Sequence, residues 1–356
     1  LNINMRLLFV SSPVSSLNSG RLGGVALNLK NITRTMVSRG HEVKIVAPTG
    51  SAIAGLPIQE ITGALQPLIP EPTYHDPVLM PEDAVVAHMW DYVREVEQNY
   101  DLIVDFGYEW LPFYLSPFLQ RPVLHYVCIS SWNAVMDQAI ARVAQLCPGT
   151  LGAHTHAQAE TYSVADSFRI LSSGIDLDQY QFRAKADKTL AWAGRISPEK
   201  GLEDAFAVAQ ITNLPLQVFG YLQDEQYWQS LQQNYPQAQV EYKGFLPTAE
   251  FQQALGQCQA LLMTHKWVEA FGRVALEALA CGVPVISYDR GGPKEIVETG
   301  QTGFLVTPDD VQGLVAAVEK IATIDRGHCR QVADRRYSLP AYGDRLEEWF
   351  EEILNS

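Results

Sequence analysis

Two glutamates, Glu269 and Glu277, stand with seven residues between them in EAFGRVALEALACGVPVIS (269–287). The run from Arg273 to Ala280 is rich in Ala, Leu and Glu and reads as a helix. Glu269 then lies in the loop before it, and Glu277 about one turn inside, roughly 6 Å along the axis. Carboxylates accept paired hydrogen bonds from sugar hydroxyls, and free N–H groups at a helix start suit an oxyanion. Gly272, with no Cβ, lets a ligand approach the backbone. A first-turn acid also complements a helix dipole, but the flanking Phe271-Gly272 favours a binding element for two polyols on either side of a phosphate. A second element, GRISPEKG (194–201), puts Arg195 and Lys200 around a tight loop before another helix. Cations there oppose the helix dipole, and an anion such as a diphosphate gives them a purpose.

Two further stretches carry weaker signals. SGRLGGVALNL (19–29) has Gly20, Gly23 and Gly24 ahead of a helix, as phosphate-binding turns do, without the G-x-G-x-x-G spacing. His125 is placed at a strand end in PVLHYVC, where a lone His is more often structural than catalytic, though it faces the expected ligand side. Asp176 and Asp178 imitate an Asp-x-Asp metal motif, but their polar setting reads as a turn. His154 and His156 find no third ligand, so no metal and no cofactor are expected.

Positioning these residues requires strands, and β-branched runs alternate with amphipathic stretches along the whole chain, the pattern of βαβ units. Strands are expected at 6–12, in EVKIVAP, and at 101–106, 122–127, 150–155 and 168–176. The cycle restarts at 189–195 and continues at 216–220, 239–244, 260–264, 284–287 and 303–306. Helices are expected from Val25 past Met36 to a stop at Gly40, at 200–210, and over the tail, where Tyr342, Leu346, Trp349 and Ile353 share one face. The expectation is an α/β chain of two Rossmann-like, doubly wound domains facing across a cleft: 5–173, a linker at 174–187, 188–338, and a C-terminal helix (339–356) returning to the first domain. Ligands of such sheets lie beyond the carboxyl ends of the strands.

The chain has 356 residues, 47% hydrophobic and 19% charged, with a formal net charge of −14. That balance fits a globular protein of two domains. It argues against nucleic acid or an anionic membrane as the main partner. The five cysteines are scattered, without C-x-x-C pairs, which points to a reducing, cytoplasmic compartment. The apolar stretch LIVDFGYEWLPFYLSPFL is broken by Asp105, Glu109, Pro112 and Pro117 and does not read as a membrane span.

The two-glutamate element, the GR…EKG loop, the N-terminal GG before RGHEV, and SGID together resemble the family 4 glycosyltransferases, retaining enzymes of the GT-B fold that use nucleotide-sugar donors. The resemblance covers nearly the whole chain and is strongest over 190–306. It implies that Glu269 contacts the donor sugar hydroxyls, helped by backbone around Phe271, Gly272 and Arg273, and that Glu277 holds the ribose. It implies that Arg195 and Lys200 bind the diphosphate, with Gly24 nearby, that Gly244 and Phe245 lie against the base, and that His125 touches the sugar. The family's usual Pro-Ser run before the first Glu is replaced here by MTHKWVEAFG, with Lys266 and Trp267.

Acceptor choice in such folds rests with the first domain. DFGYEWLPFYLSPF (105–118) and ISSWNAVMDQAIA (129–141) are dense in aromatics, with a few acids and amides. They offer either packing or a stacking platform, with Tyr108, Glu109, Trp110, Trp132, Asn133 and Asp137 around a planar acceptor. These stretches are similar to those of the cyanobacterial UDP-glucose:tetrahydrobiopterin glucosyltransferases, which implies glucose transfer from UDP-glucose to a reduced pterin. Transfer to another soluble sugar or small alcohol, a nucleotide-sugar epimerase, and a non-catalytic binding protein remain as alternatives.

Overall fold

The computed structural model describes residues 4–17, 23–67 and 73–356. Gly20 and the residues beside it in the glycine loop lie outside the described residues. Two compact units are present, one formed by Leu1–Gly174 with Leu339–Ser356, the other by Ile175–Ser338.

The first unit is a seven-stranded, all-parallel sheet in the order β3-β2-β1-β4-β5-β6-β7. Its strands are β1 (Arg6–Val10), β2 (Glu42–Pro48), β3 (Ile58–Ile61), β4 (Leu102–Asp105), β5 (Val123–Val127), β6 (Leu151–Ala153) and β7 (Phe168–Ile170). Apart from Arg6 the residues of β1, β4 and β5 are buried, as their largely apolar runs require when helices cover both faces. β3 was not expected. It is an edge strand of four residues, IQEI, only partly buried, so its pattern carries no core signal. The helix Gly23–Ser38 ends before Gly40, whose φ of +94° stops it. In the helix Leu339–Leu354, Tyr342, Leu346, Trp349 and Phe350 are buried in the core of this unit. Its close approach depends on Gly174, where a Cβ would lie 2.3 Å from Cδ1 of Tyr342.

The second unit is a six-stranded parallel sheet in the order β10-β9-β8-β11-β12-β13. Its strands are β8 (Leu190–Ala193), β9 (Leu216–Phe219), β10 (Val240–Gly244), β11 (Ala260–Met263), β12 (Val285–Tyr288) and β13 (Gly303–Val306). The stretch expected as a linker (174–187) is largely part of this unit. The N–H of Ile175 donates to the Tyr337 carbonyl at 2.8 Å, and Tyr180 is buried in the core. Asp176 precedes a single turn, Leu177–Gln179, that contains Asp178, and its side chain accepts from Gln179 Nε2 at 2.5 Å. No helix among the described residues is long and apolar enough to cross a membrane.

Candidate functional site

In the second unit β8 and β11 are neighbours, with β9 and β12 on their outer sides, so the chain direction across the sheet switches between them. Loops leaving the carboxyl ends of such a strand pair form a natural ligand crevice. The loop after β8 carries Arg195 and Lys200, and the loop after β11 carries Glu269. Several bonds tie the two loops together. Trp192 Nε1 donates to Thr264 Oγ1 at 3.1 Å, and Thr264 Oγ1 donates to the Gly201 carbonyl at 2.7 Å. The N–H of Lys266 donates to the Glu199 carbonyl at 2.9 Å. Gly201 has φ +65°, and a Cβ there would lie 2.0 Å from the Thr264 carbonyl oxygen. Only glycine fits this contact. Lys266 anchors the loops from beneath, with Nζ 2.8 Å from Asp204 Oδ2, which also accepts from the Tyr288 hydroxyl at 2.7 Å.

This stapling delivers Lys200 to Glu269. Lys200 Nζ donates to Glu269 Oε2 at 2.6 Å, and Trp267 Nε1 donates to the same oxygen at 3.1 Å. The ammonium also sits 4.5 Å from the centroid of the Trp267 ring. Burial alone pushes the Glu269 carboxyl up, but Lys200 and the hydrogen bonds outweigh it and hold the group below the usual glutamate range. Its backbone rests on a diglycine turn. The N–H of Gly292 donates to the Glu269 carbonyl at 2.6 Å, and at Gly291 (φ +67°) a Cβ would lie 2.6 Å from that oxygen.

Gly272 opens the helix Arg273–Cys281 with φ +90° and supplies no side-chain cap. Phe271 is buried in the core and meets Tyr337 edge-on, so only its backbone can serve a ligand. Glu277 is 8% exposed, accepts from the Tyr180 hydroxyl at 2.9 Å, and lies 3.8 Å from Arg273 Nε. Burial raises its carboxyl above the ordinary value. Arg195 is half exposed and engages Gln223 at 3.0 Å and Glu199 at 3.3 Å. Gly244 ends β10 with φ +72° and open space at its Cβ position, and Phe245 is exposed beside it. The structure thus joins Lys200 with Glu269, and Glu277 with Arg273, inside one unit. Among the described residues no group of three His, Cys, Asp or Glu could hold a metal ion.

In the first unit β1 and β4 form the corresponding switch. Gly24 is exposed near the start of its helix. Glu109, in the loop after β4, is 8% exposed. Burial, with Asp105 nearby, pushes its carboxyl up to about 8. Next to it the Tyr108 hydroxyl lies near Tyr162 and Trp132, its burial raises its pKa, and Trp110 stacks on Tyr114 at 4.6 Å. Asp137 accepts through Oδ2 from Tyr74 and Ser131 at 2.8 and 2.6 Å, while its Oδ1 is buried and unpartnered. Trp132 is 37% exposed.

Two expectations change here. His125 offers no free nitrogen, since Nδ1 faces Asp105 Oδ2 at 2.9 Å and Nε2 faces Ser116 Oγ at 2.6 Å. The ring also stacks on Phe113 at 4.0 Å and is buried. Asn133 is a helix cap: its Oδ1 accepts from the N–H groups of Val135 and Met136, and its Nδ2 donates to the Asp76 carbonyl at 2.9 Å. The parts without an assigned role in the sequence were Trp267, Tyr180, Asp204 and Thr264. Of these only Trp267 carried a signal, as a departure from the family's Pro-Ser run.

Residues 176–337 match the family described as glycosyl transferases group 1. A glycogen synthase from Mycobacterium tuberculosis is 33% identical over 163 residues, 43% of this chain and 39% of that protein. A 2-deoxystreptamine N-acetyl-D-glucosaminyltransferase from Niallia circulans is 33% identical over 144 residues, 39% of this chain and 37% of that protein. The matched region thus spans about two fifths of these relatives' length. Among solved structures, Anabaena Alr3699/HepE in complex with UDP is similar with a TM-score of 0.78 at 19% identity, covering 98% of this chain and all of that one (100%). A sucrose-phosphate synthase from Thermosynechococcus elongatus is similar with a TM-score of 0.71 at 16% identity, covering 98% and 96%. The two parallel-sheet, Rossmann-like units are those of the GT-B fold, and the second unit carries the match to glycosyl transferases group 1.

Proposed function

We propose that the protein is a retaining glycosyltransferase that moves glucose from UDP-glucose to a reduced pterin such as tetrahydrobiopterin. The observation that carries the transferase reading is the Lys200–Glu269 pair (2.6 Å), held at the start of the helix Arg273–Cys281 inside the matched residues. It supplies a carboxylate for hexose hydroxyls beside a cation for a diphosphate. The similar Alr3699/HepE has been solved with UDP-glucose, which supports the same donor here.

In this reading Glu269 binds the hexose through Oε1, Glu277 binds the ribose, and Phe245 lies against the base. Arg195, Lys200 and backbone N–H groups stabilise the departing diphosphate, without a metal. The bond from the anomeric carbon to the phosphate oxygen breaks as the acceptor oxygen attacks from the same face. The acceptor's proton passes to that phosphate oxygen. Trapping a covalent glycosyl-enzyme would defeat this route.

On the acceptor side, Glu109 and the unpartnered Oδ1 of Asp137 favour a neutral acceptor rich in hydrogen-bonding groups, as a pterin is. Asn133 and His125 contribute support rather than contact. Incubation with UDP-glucose and tetrahydrobiopterin, read by mass spectrometry, should give a hexose adduct with UDP released. An adduct on a sugar but on no pterin overturns the pterin assignment. Epimerised donor without any acceptor would overturn transfer itself.

A further inference from the structure

Glu269 Oε2 receives two donors, the Lys200 ammonium at 2.6 Å and the Trp267 indole N–H at 3.1 Å. A freely rotating carboxylate would present either oxygen. Two donors on one oxygen hold the carboxylate in one orientation and leave Oε1 outside both of these bonds. The two donors differ in one respect: Lys200 can bond to several anions at once or exchange between them, whereas the indole has a single N–H and no charge. When a diphosphate enters, it competes with Glu269 for Lys200. The indole N–H has no reason to leave.

From this we infer that Trp267 is the positioning residue that keeps Glu269 oriented toward the donor hexose once Lys200 has turned to the diphosphate. The inference rests on the donor assignment above. Trp267 also supports Lys200, whose Nζ lies 4.5 Å from the ring centroid. Its two roles separate chemically: the N–H acts on Glu269, and the ring face acts on Lys200. Around Glu269 the charged and titratable groups are Lys200 and His265, and neither can replace a neutral donor fixed two residues away in the chain.

Trp267→Phe keeps a ring under Lys200 and deletes only the N–H. Calorimetric titration of the full chain should then show UDP-glucose binding about tenfold weaker, with UDP binding changed less than about twofold. Trp267→Ala, which also removes the ring, should weaken both. In a Glu269→Ala background, which leaves the indole N–H nothing to orient, the further effect of Trp267→Phe on UDP-glucose should shrink to within about twofold, because the two residues act as one unit. Equal weakening of UDP and UDP-glucose by Trp267→Phe, at an unchanged melting temperature, would assign Trp267 a merely structural role. Persistence of its full effect in the Glu269→Ala background would overturn the inference as well. If the wild-type protein binds UDP but gains nothing from the glucose moiety, the inference fails while nucleotide binding stands. If it binds neither, the donor assignment fails first.

Discussion

Lys200 Nζ and Glu269 Oε2 lie 2.6 Å apart, joining loops 69 residues apart in the chain. Both side chains are largely buried, at 16% and 21% exposure, so removing one leaves the other charge without its main partner.

Lys200→Met should therefore cost stability as well as activity. A loss of about 2 kcal/mol in chemical denaturation and about a hundredfold in kcat is expected. Lys200→Met with Glu269→Gln should recover most of the stability and none of the turnover. Recovery of turnover in the double variant would show that the lysine serves Glu269 alone and not the diphosphate.

Gly201→Ala tests the staple between the loops. The new methyl would collide with the Thr264 carbonyl at 2.0 Å and would sit at φ +65°. We expect at least about 2 kcal/mol of destabilisation, with weaker UDP binding in whatever folds. An unchanged melting curve would mean that the loops are held apart in solution.

Glu109 makes stability depend on pH. Its carboxyl sits at about 8 when folded, against 4.5 as the ordinary value, so the folded state holds one more proton between the two. Stability then falls as pH rises through this window, by at most about 5 kcal/mol from this group. Glu109→Gln should remove that slope, and melting temperatures of variant and wild type should diverge toward pH 9. Parallel curves from pH 5 to 9 would show that Glu109 ionises normally.

Asn133→Ala separates capping from acceptor binding. Loss of the cap on the helix Ala134–Leu146 should cost about 1 kcal/mol, while the acceptor KM stays within about twofold of wild type. A tenfold rise in acceptor KM without loss of stability would return Asn133 to the acceptor site.

Much of the architecture was legible because buried parallel strands are written as apolar runs with turn residues between them. EVKIVAP corresponds residue for residue to β2, and GFLV to β13. The edge strand β3 was not, since IQEI is half polar and meets a neighbour on one side only. The spacing of Glu269 and Glu277 around Gly272 was equally readable, because it is local to one helix start. The partners that hold His125, Asp105 and Ser116, are 20 and 9 residues away in the chain, so its hydrogen bonds are not legible from the sequence around it. Asn133 is a different case. An Asn directly before a helical run is a capping signal, and Asn133 stands in that position before Ala134–Leu146.

The bonds from Trp192, Thr264, Lys266 and Gly201 bear on how such a protein could be re-engineered. A chimera that exchanged the segment 194–201 alone for that of a relative would carry a lysine cut to fit a different floor. Donor preference should transfer only when 194–204 and 263–272 are grafted as a matched set, together with the diglycine at 291–292.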